Sequence, residues 1–374
     1  MVSLPPGLQF RSSLDDDVWH ADPEPGAYEW WYFDAISDDG REALVVIFLT
    51  NFVFSPRYNR AFADTSRGAD ATAVRAQLFP AVSVGYYRDG RPLWRVNSEH
   101  DGSEFIAHPA RPACRIGRST FELVEAFGVR RYELTLDETL RGGRTLKARL
   151  TWEVIDGNFA PDEADDAPSH AGAPHAHEWN LVAPRCRVRG DISITDRAGP
   201  RTAEQNFSGM GYHDHNRDHR PLPARVAAWQ WGRAHFDDGT TAVFYRYQER
   251  DHATHDTRLF IVRDGALSIT VAEYDARAQR QHIFGLRYPR ELNFSMNAPP
   301  SSPLTLRIRQ AKVVDASYFY LRFVGDAALD LGEGRVLHAP ALSEQLAPRA
   351  LRWRWLDWLT DMRIGRQGRG SFLP

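Results

Sequence analysis

The chain repeats itself, and the repeat restricts what it can fold into. Setting Trp30 over Trp229 lays WWYFDAISDDGREALVVIF on WQWGRAHFDDGTTAVFYRY, with identities at Trp30/Trp229, Ala35/Ala234, Asp38/Asp237, Asp39/Asp238, Gly40/Gly239 and Ala43/Ala242. In each copy an aromatic apolar run enters a D-D-G turn and a second apolar run leaves it. Asp-Gly between two such runs predicts a β-hairpin, because glycine takes the positive φ that the turn needs. A second echo follows at a shorter spacing, YYRDGRPL from Tyr86 against IVRDGALS from Ile261. LKARLTWEV near Leu146 against LTLRIRQAK near Leu304 is a weaker third match. A period this long duplicates a whole domain rather than a small solenoid unit.

Between the hairpins the pattern stays strand-like. CRIGRSTFELVEAF, VRRYELTLDE and RLFIVRD alternate apolar and polar residues, the period of a half-buried strand. The 374 residues exceed one ordinary domain. We therefore expect an all-β protein of two tandem antiparallel β-barrel domains, residues 1–205 and 206–374. LRWRWLDWLTDMRIG near the end is the exception and predicts a short amphipathic helix or a closing strand. Asn158 to His177, rich in Ala, Pro, Asp and His, predicts a surface loop or lid. The region from Gly190 to Pro223 is expected to join the halves.

Composition removes several function classes. The net charge is −3, with no basic tail or stripe, which argues against a nucleic-acid partner. Cys114 and Cys186 stand in no metal or redox spacing and are expected to be reduced thiols. The N-terminal MVSLPPGLQF lacks the pattern of a signal peptide. The apolar run from Ala43 to Phe54 is shorter than the roughly 20 residues of a membrane helix. A cytoplasmic location is the default expectation, with room for peripheral membrane contact.

Candidate chemistry gathers near the junction. His175-Ala176-His177-Glu178-Trp179-Asn180 precedes an expected strand. Gly211-Tyr212-His213-Asp214-His215-Asn216 is expected in a polar, glycine-flanked loop just before the second repeat. Clustered His, Asp, Tyr and Trp there suit a small-molecule site. The pairs His175/His177 and His213/His215 offer zinc or iron ligands, but no spacing supplies a third His; the expectation is no metal and no cofactor. There is no G-x-S-x-G, P-loop or dinucleotide fingerprint. Trp30, Trp31, Trp229 and Trp231, on the repeated first strands, are core packing or the lining of a greasy cavity.

At these residues the sequence resembles the carotenoid 1,2-hydratase (hydroxyneurosporene synthase) family and its lipocalin-like relatives. YEWWYFDAISDDGREALVVIFLTNFVFSP resembles that family's opening block. HEWNLVAPRCRV resembles its H-x-W block, and GYHDHNRDHRPL followed by WQWGRAHFDDGTTAVFY its G-Y-x-D-x-N and W-x-W-x-RAH block. The resemblance runs in order along most of the chain and weakens after about Asp275. It implies tandem lipocalin/calycin-type barrels and cofactor-free hydration of a terminal isoprenoid double bond. It places the His and Trp of H-x-W on His177 and Trp179, and the Tyr and Asp of Y-x-D on Tyr212 and Asp214.

That chemistry needs a carboxylic acid held protonated in an apolar pocket, because an isolated alkene is a poor base. Asp214 is the expected acid. Trp179 and Tyr212 are the aromatic faces for a tertiary carbocation, and His177 or the new carboxylate takes the proton of the added water. Trp30, Trp31, Trp229, Trp231, His213 and His215 are the expected substrate contacts. His213 and His215 flank Asp214, and as imidazolium they would lower its pKa. This leaves room for a cyclase or pericyclase acting on a natural-product intermediate. A lipocalin-like carrier of apolar ligands would use the same aromatic barrel pocket without chemistry.

Overall fold

A computed structural model describes residues 8–24, 26–65, 78–159, 177–197, 202–250, 255–296 and 304–373. The protein is nearly all β and divides into two compact units. The first holds residues 1–87, 93–222 and 353–374; the second holds 88–92 and 223–352. Two features differ from a division at residue 205: the first unit keeps the chain as far as Leu222, and the C-terminal segment from Trp353 returns to it.

The strands of the first unit are β1 (Leu8–Arg11), β2 (Tyr28–Ser37), β3 (Glu42–Leu49), β4 (Ala81–Arg88), β5 (Arg91–Glu99), β6 (Phe105–Ala107), β7 (Ala113–Ile116), β8 (Ser119–Ala126), β9 (Val129–Thr139), β10 (Thr145–Asp156), β11 (His177–Thr195) and β12 (Thr202–Asp218). Those of the second are β13 (Val226–His235), β14 (Thr241–Glu249), β15 (Asp256–Arg263), β16 (Ala266–Val271), β17 (Glu273–Gln281), β18 (Arg287–Met296), β19 (Leu304–Ala316), β20 (Tyr320–Asp330) and β21 (Val336–Leu346). A last short strand, β22 (Gly365–Arg366), pairs with β5. The α-helices among the described residues are α1 (Pro56–Thr65), α2 (Leu222–Arg225) and α3 (Asp357–Asp361).

Each unit is a curled, predominantly antiparallel sheet. The first runs β22-β5-β4-β3-β2-β12-β11-β10-β9-β8-β7-β6, with β1 alongside β11; the second runs β16-β15-β14-β13-β21-β20-β19-β18-β17. The repeat is visible in this order. β2 pairs with β3 on one side and with the last long strand of its unit, β12, on the other. β13 pairs in the same way with β14 and β21. The hairpins β4–β5 and β15–β16 come next outward in each sheet, and β10 and β19 occupy the same place beyond the last strand. All three sequence echoes thus fall on equivalent positions.

Turn chemistry carries the equivalence to the backbone. Gly40 and Gly239 have φ of 71° and 95°; Asp89-Gly90 and Asp264-Gly265 both take positive φ at each residue, the conformation that suits the twist of a two-residue hairpin. Apolar residues alternate inward from these strands. Trp31, Phe33, Leu44, Val46, Leu134, Leu150 and Trp152 belong to the first core; Phe244, Leu259, Phe294, Leu306 and Leu329 belong to the second. Burying each such side chain stabilises the fold by roughly 1.5–3 kcal/mol. Cys114 and Cys186 are both buried, and neither is in a disulfide.

The expected lid, Asn158 to His177, lies outside the described residues except for its ends, and His175 is among those left out. The stretch from Thr202 to Asp218, expected within a connecting region, is the inner strand β12. Its polar residues escaped a strand assignment because their partners are buried polar groups rather than apolar ones.

Candidate active site

β12 presents two faces with the two-residue period of a strand. Tyr212, Asp214 and Asn216 lie on one face, His213 and His215 on the other. The register sets them beside Asp34, Tyr32 and Trp30, and beside Phe33 and Trp31, respectively.

The first face centres on the buried carboxylate of Asp214. Its Oδ2 accepts from Tyr212 Oη at 2.7 Å and from the indole N–H of Trp179 on β11 at 2.9 Å. Its Oδ1 accepts from Asn216 Nδ2 at 2.8 Å. Asn216 Oδ1 lies 3.2 Å from His177 Nε2, and Tyr28 Oη lies 3.1 Å from His177 Nδ1. The chain of contacts orients itself. Because Asn216 gives its NH₂ to the carboxylate, its oxygen turns to His177, which then carries its proton on Nε2 and accepts from Tyr28 on Nδ1. Burial pushes the His177 pKa down to about 4, against the opposing influence of Asp218 and the Asn216 hydrogen bond. At neutral pH it is an uncharged imidazole.

Aromatic rings surround these groups. Trp30 stacks on Tyr28 at 5.0 Å and lies 6.1 Å from the His177 ring. Tyr32 meets Tyr212 edge-on at 6.3 Å, and Phe10 lies 5.5 Å from Trp179. Trp30, Tyr32, Trp179 and Tyr212 are all buried. The structure thus brings Asp214, Tyr212, Trp179 and His177 together, with Trp30 beside them. Tyr28 joins this group, and Asn216 takes a role in it, beyond the residues expected from sequence. The period of two along Y-x-D-x-N, and along Tyr28 and Trp30, is the signal that finds both.

His213 and His215 face the other way. His213 Nε2 lies 2.9 Å from Asp17 Oδ2, its Nδ1 lies 3.0 Å from the Tyr32 carbonyl, and its ring stacks on Phe33 at 3.9 Å. His215 bridges Asp17 Oδ1 at 3.1 Å and Glu29 Oε1 at 2.8 Å, under the stacked Trp31 ring. Glu29 Oε1 also meets His20 Nδ1 at 2.8 Å, and Tyr132 donates to Asp17 at 2.6 Å. Burial alone would lower the His215 pKa; its contacts with Asp17 and Glu29 outweigh this and hold it at about 9. Burial likewise favours neutral Asp17, but His213 and His215 bring it down to about 2. The result is an alternating chain of charge, from buried Asp17 through His215 and Glu29 to His20. The two histidines expected to flank the acid therefore turn their side chains to the barrel interior, away from Asp214.

His20, Glu29 and His215 offer ligand atoms within 4.8 Å of one another, a donor set that a divalent cation can take. The same atoms are already matched in charge without one. A small pocket opens at this end of the sheet, lined by Arg11, Asp16, His20, Glu178, Asn180, His215 and Arg217. Asp17 and His20 lie in a stretch with no motif, and Glu29, inside the YEWW block, carries no role of its own in the sequence reading.

Trp229 and Trp231 sit on β13 of the second unit, both buried, with Trp229 stacked on Tyr245 at 6.2 Å. They alternate with Ala234 and Phe236 of that unit's core, so Trp229 repeats the placement of Trp30 in the first unit.

Of the two lipocalin-like β units, the first carries a buried carboxylate hydrogen-bonded by an indole, a phenol and an amide. Comparison with known sequences gives the family. Residues 159–372 match the family described as carotenoid hydratase CrtC, and the chain belongs to that family of hydro-lyases. It is 25% identical over 365 residues to the hydroxyneurosporene dehydrogenase of Chlorobaculum tepidum, covering 95% of this chain and 91% of that one. It is 27% identical over 233 residues to the acyclic carotenoid 1,2-hydratase of Rubrivivax gelatinosus, covering 60% of this chain and 49% of the hydratase. Among solved structures it is similar in fold to an AttH protein of Nitrosomonas europaea, with a TM-score of 0.60, 13% identity and coverage of 93% and 99%. It is also similar to CghA bound to Sch210972, with a TM-score of 0.55, 14% identity and coverage of 90% and 97%. These two likenesses speak to the fold alone.

Proposed function

We propose that this chain adds water across a terminal isoprenoid double bond, carotenoid-like or prenyl, by protonation first and without metal or organic cofactor. The observation that carries this is the buried Asp214 with Trp179, Tyr212 and Asn216 around it. In the acid form, Asp214 gives its proton to the less substituted alkene carbon and the π pair forms the new C–H bond. The tertiary cation left on the other carbon is stabilised by the ring faces of Trp179 and Tyr212, each worth roughly 2 kcal/mol when desolvated. Water adds through an oxygen lone pair, and its surplus proton returns to the Asp214 carboxylate. The sum is alkene plus water to tertiary alcohol, with the enzyme restored.

Tyr212 is the partner that suits both forms of the acid. A hydroxyl donates to a carboxylate and accepts from a carboxylic acid, whereas the Trp179 N–H only donates. Neutral His177, reached through Asn216 on one side and Tyr28 on the other, is the second proton acceptor. The carotenoid 1,2-hydratases among the relatives support water addition and an isoprenoid substrate.

The test is incubation of the purified protein with acyclic carotenoids and prenylated aromatics in ¹⁸O-water. A product heavier by one labelled water, lost in Asp214→Asn, is the expected result. An isomeric product without oxygen would replace hydration by cyclisation. Saturable binding of these compounds with no product would make the protein a carrier.

A further inference from the structure

The segment that returns to the first unit exposes three tryptophans within six residues. Trp353, Trp355 and Trp358 are 49%, 71% and 56% exposed, and Phe372 is 70% exposed. Soluble surfaces seldom leave several large aromatics together in water. Backbone hydrogen bonds fix the segment that carries them. Leu356 N–H bonds to the Trp353 carbonyl, Met362 N–H to the Trp358 carbonyl, and Leu373 N–H to the Met362 carbonyl. The last link brings the chain end that carries Phe372 back against α3.

The platform beneath is firm. Leu356 and Ile364 are buried. Asp357 pairs with Arg60 of α1 at 3.3 Å, and Arg366 joins Glu99 at 2.9 Å and Asp361 at 2.8 Å. Both acidic residues described in the segment, Asp357 and Asp361, are therefore paired with arginines of the same unit. Arg354, between two of the tryptophans, and Arg369 point into solvent. The exposed surface of the segment combines indole rings with guanidinium groups, and among its described residues no carboxylate is unpaired.

We propose that this face docks the protein on an anionic lipid bilayer. Indoles settle at the level of the headgroups, where the ring is apolar and its N–H is wet. Arginines beside them meet lipid phosphates and gain from the negative surface potential. No helix among the described residues is long and apolar enough to cross a membrane, and a rigid rim of aromatics binds peripherally without one. These side chains would bind a bilayer whatever the catalytic activity, and binding is measured without turnover.

The test is co-sedimentation of the full chain with vesicles of phosphatidylcholine alone or mixed with phosphatidylglycerol. The expected result is binding to the mixed vesicles that weakens with salt and is far lower on phosphatidylcholine alone. Trp355→Ser should lower the bound fraction, and the triple change Trp353→Ser, Trp355→Ser, Trp358→Ser should lower it at least tenfold. Arg354→Gln should weaken binding about fivefold, the equivalent of roughly 1 kcal/mol per arginine near such a surface. Circular dichroism matching the wild type keeps these variants interpretable, and Trp355→Ser, the most exposed single site, serves if the triple variant does not fold. Three results would overturn the proposal: no binding of the wild type to either vesicle, binding unchanged in Trp355→Ser and Arg354→Gln, or a wild-type dimer in sedimentation that the tryptophan changes split into monomers.

Discussion

Trp179 on β11 donates its indole N–H to Asp214 Oδ2 on β12 at 2.9 Å, so one side chain both holds the acid and supplies an aromatic face beside it. Trp179→Phe separates these roles, keeping a ring and deleting the donor. A hydrogen bond to a charged group is worth about 1.5–3 kcal/mol. We expect turnover to fall about 30-fold, equivalent to roughly 2 kcal/mol, with measurable activity remaining. Steady-state rates on the identified substrate check it; an unchanged rate would remove Trp179 from the site.

Asp214→Asn removes the proton donor and leaves a side chain of the same shape. General acid catalysis contributes on the order of 10² to 10⁴ in rate, so turnover should nearly vanish. Binding of the apolar ligand should change little: the amide oxygen still accepts from Tyr212 and Trp179, while its NH₂ faces the Asn216 donor and meets it only if that side-chain amide turns its oxygen round, at a modest cost in thermal stability. Near-normal turnover in this variant would transfer the acid role to another group.

The acid limb of stability should carry the signature of His177. Its folded pKa of about 4 lies below the 6.5 of the free side chain. Between these values the unfolded chain binds the proton and the folded chain does not, so stability falls as pH drops from about 6.5 to about 4 and levels off below. The loss from this one group is about 3 kcal/mol at most, at 1.36 kcal/mol per pH unit. Denaturant titrations of the wild type and His177→Gln between pH 4 and 8 measure it. The variant should lose the pH dependence over that window, and parallel curves would exclude His177 as its source.

How much of this was legible in sequence follows from where the apolar alternation holds. The D-D-G and R-D-G hairpins announce themselves because turn residues and strand pattern agree at Trp30–Phe48 and Trp229–Tyr247. Tyr212, Asp214, His177 and Trp179 were legible as residue types. The separation of His213 and His215 from Asp214 was not, because GMGYHDHNRD has no apolar alternation and looked like a loop. β12 is polar on both faces because each face has its own buried partners. Asp17, His20 and Glu29 supply those partners on one side. Only the folded chain brings Asp17 to His213, 196 residues away.

The His20–Glu29–His215 group makes metal dependence a sharp question. We expect activity to survive exhaustive dialysis against a chelator, because the proposed chemistry proceeds on the opposite face of β12 from these residues. Elemental analysis before and after dialysis, alongside rate measurements, checks it. Loss of turnover restored by one specific ion, and absent in Glu29→Gln, would assign the cluster a metal and revise the mechanism.

The last prediction concerns the interior chain of charge. Asp17 is fully buried, and its two oxygens are shared among His213, His215 and Tyr132. Replacing it with Asn removes the negative charge while leaving two buried imidazoles and a phenol in place. Breaking a buried pair in this way costs about 3–5 kcal/mol, because the surviving partner is left charged or unmatched in low dielectric. Asp16 is the control. It lies 3.5 Å from His20, with its side chain 32% exposed, and a partly solvated pair of this kind contributes about 0–1 kcal/mol. Asp17→Asn should therefore lower the unfolding free energy several-fold more than Asp16→Asn. Its deficit should be largest near neutral pH, where the wild-type pair of Asp17 at about 2 and His215 at about 9 is fully ionised. Approaching pH 9 and above, His215 loses its proton in the wild type too, and the gap between the two proteins should narrow. Denaturant unfolding at pH 7 and pH 10 measures both. Equal losses in the two variants, or a gap that widens with pH, would mean that packing around Asp17 rather than its charge holds this part of the barrel.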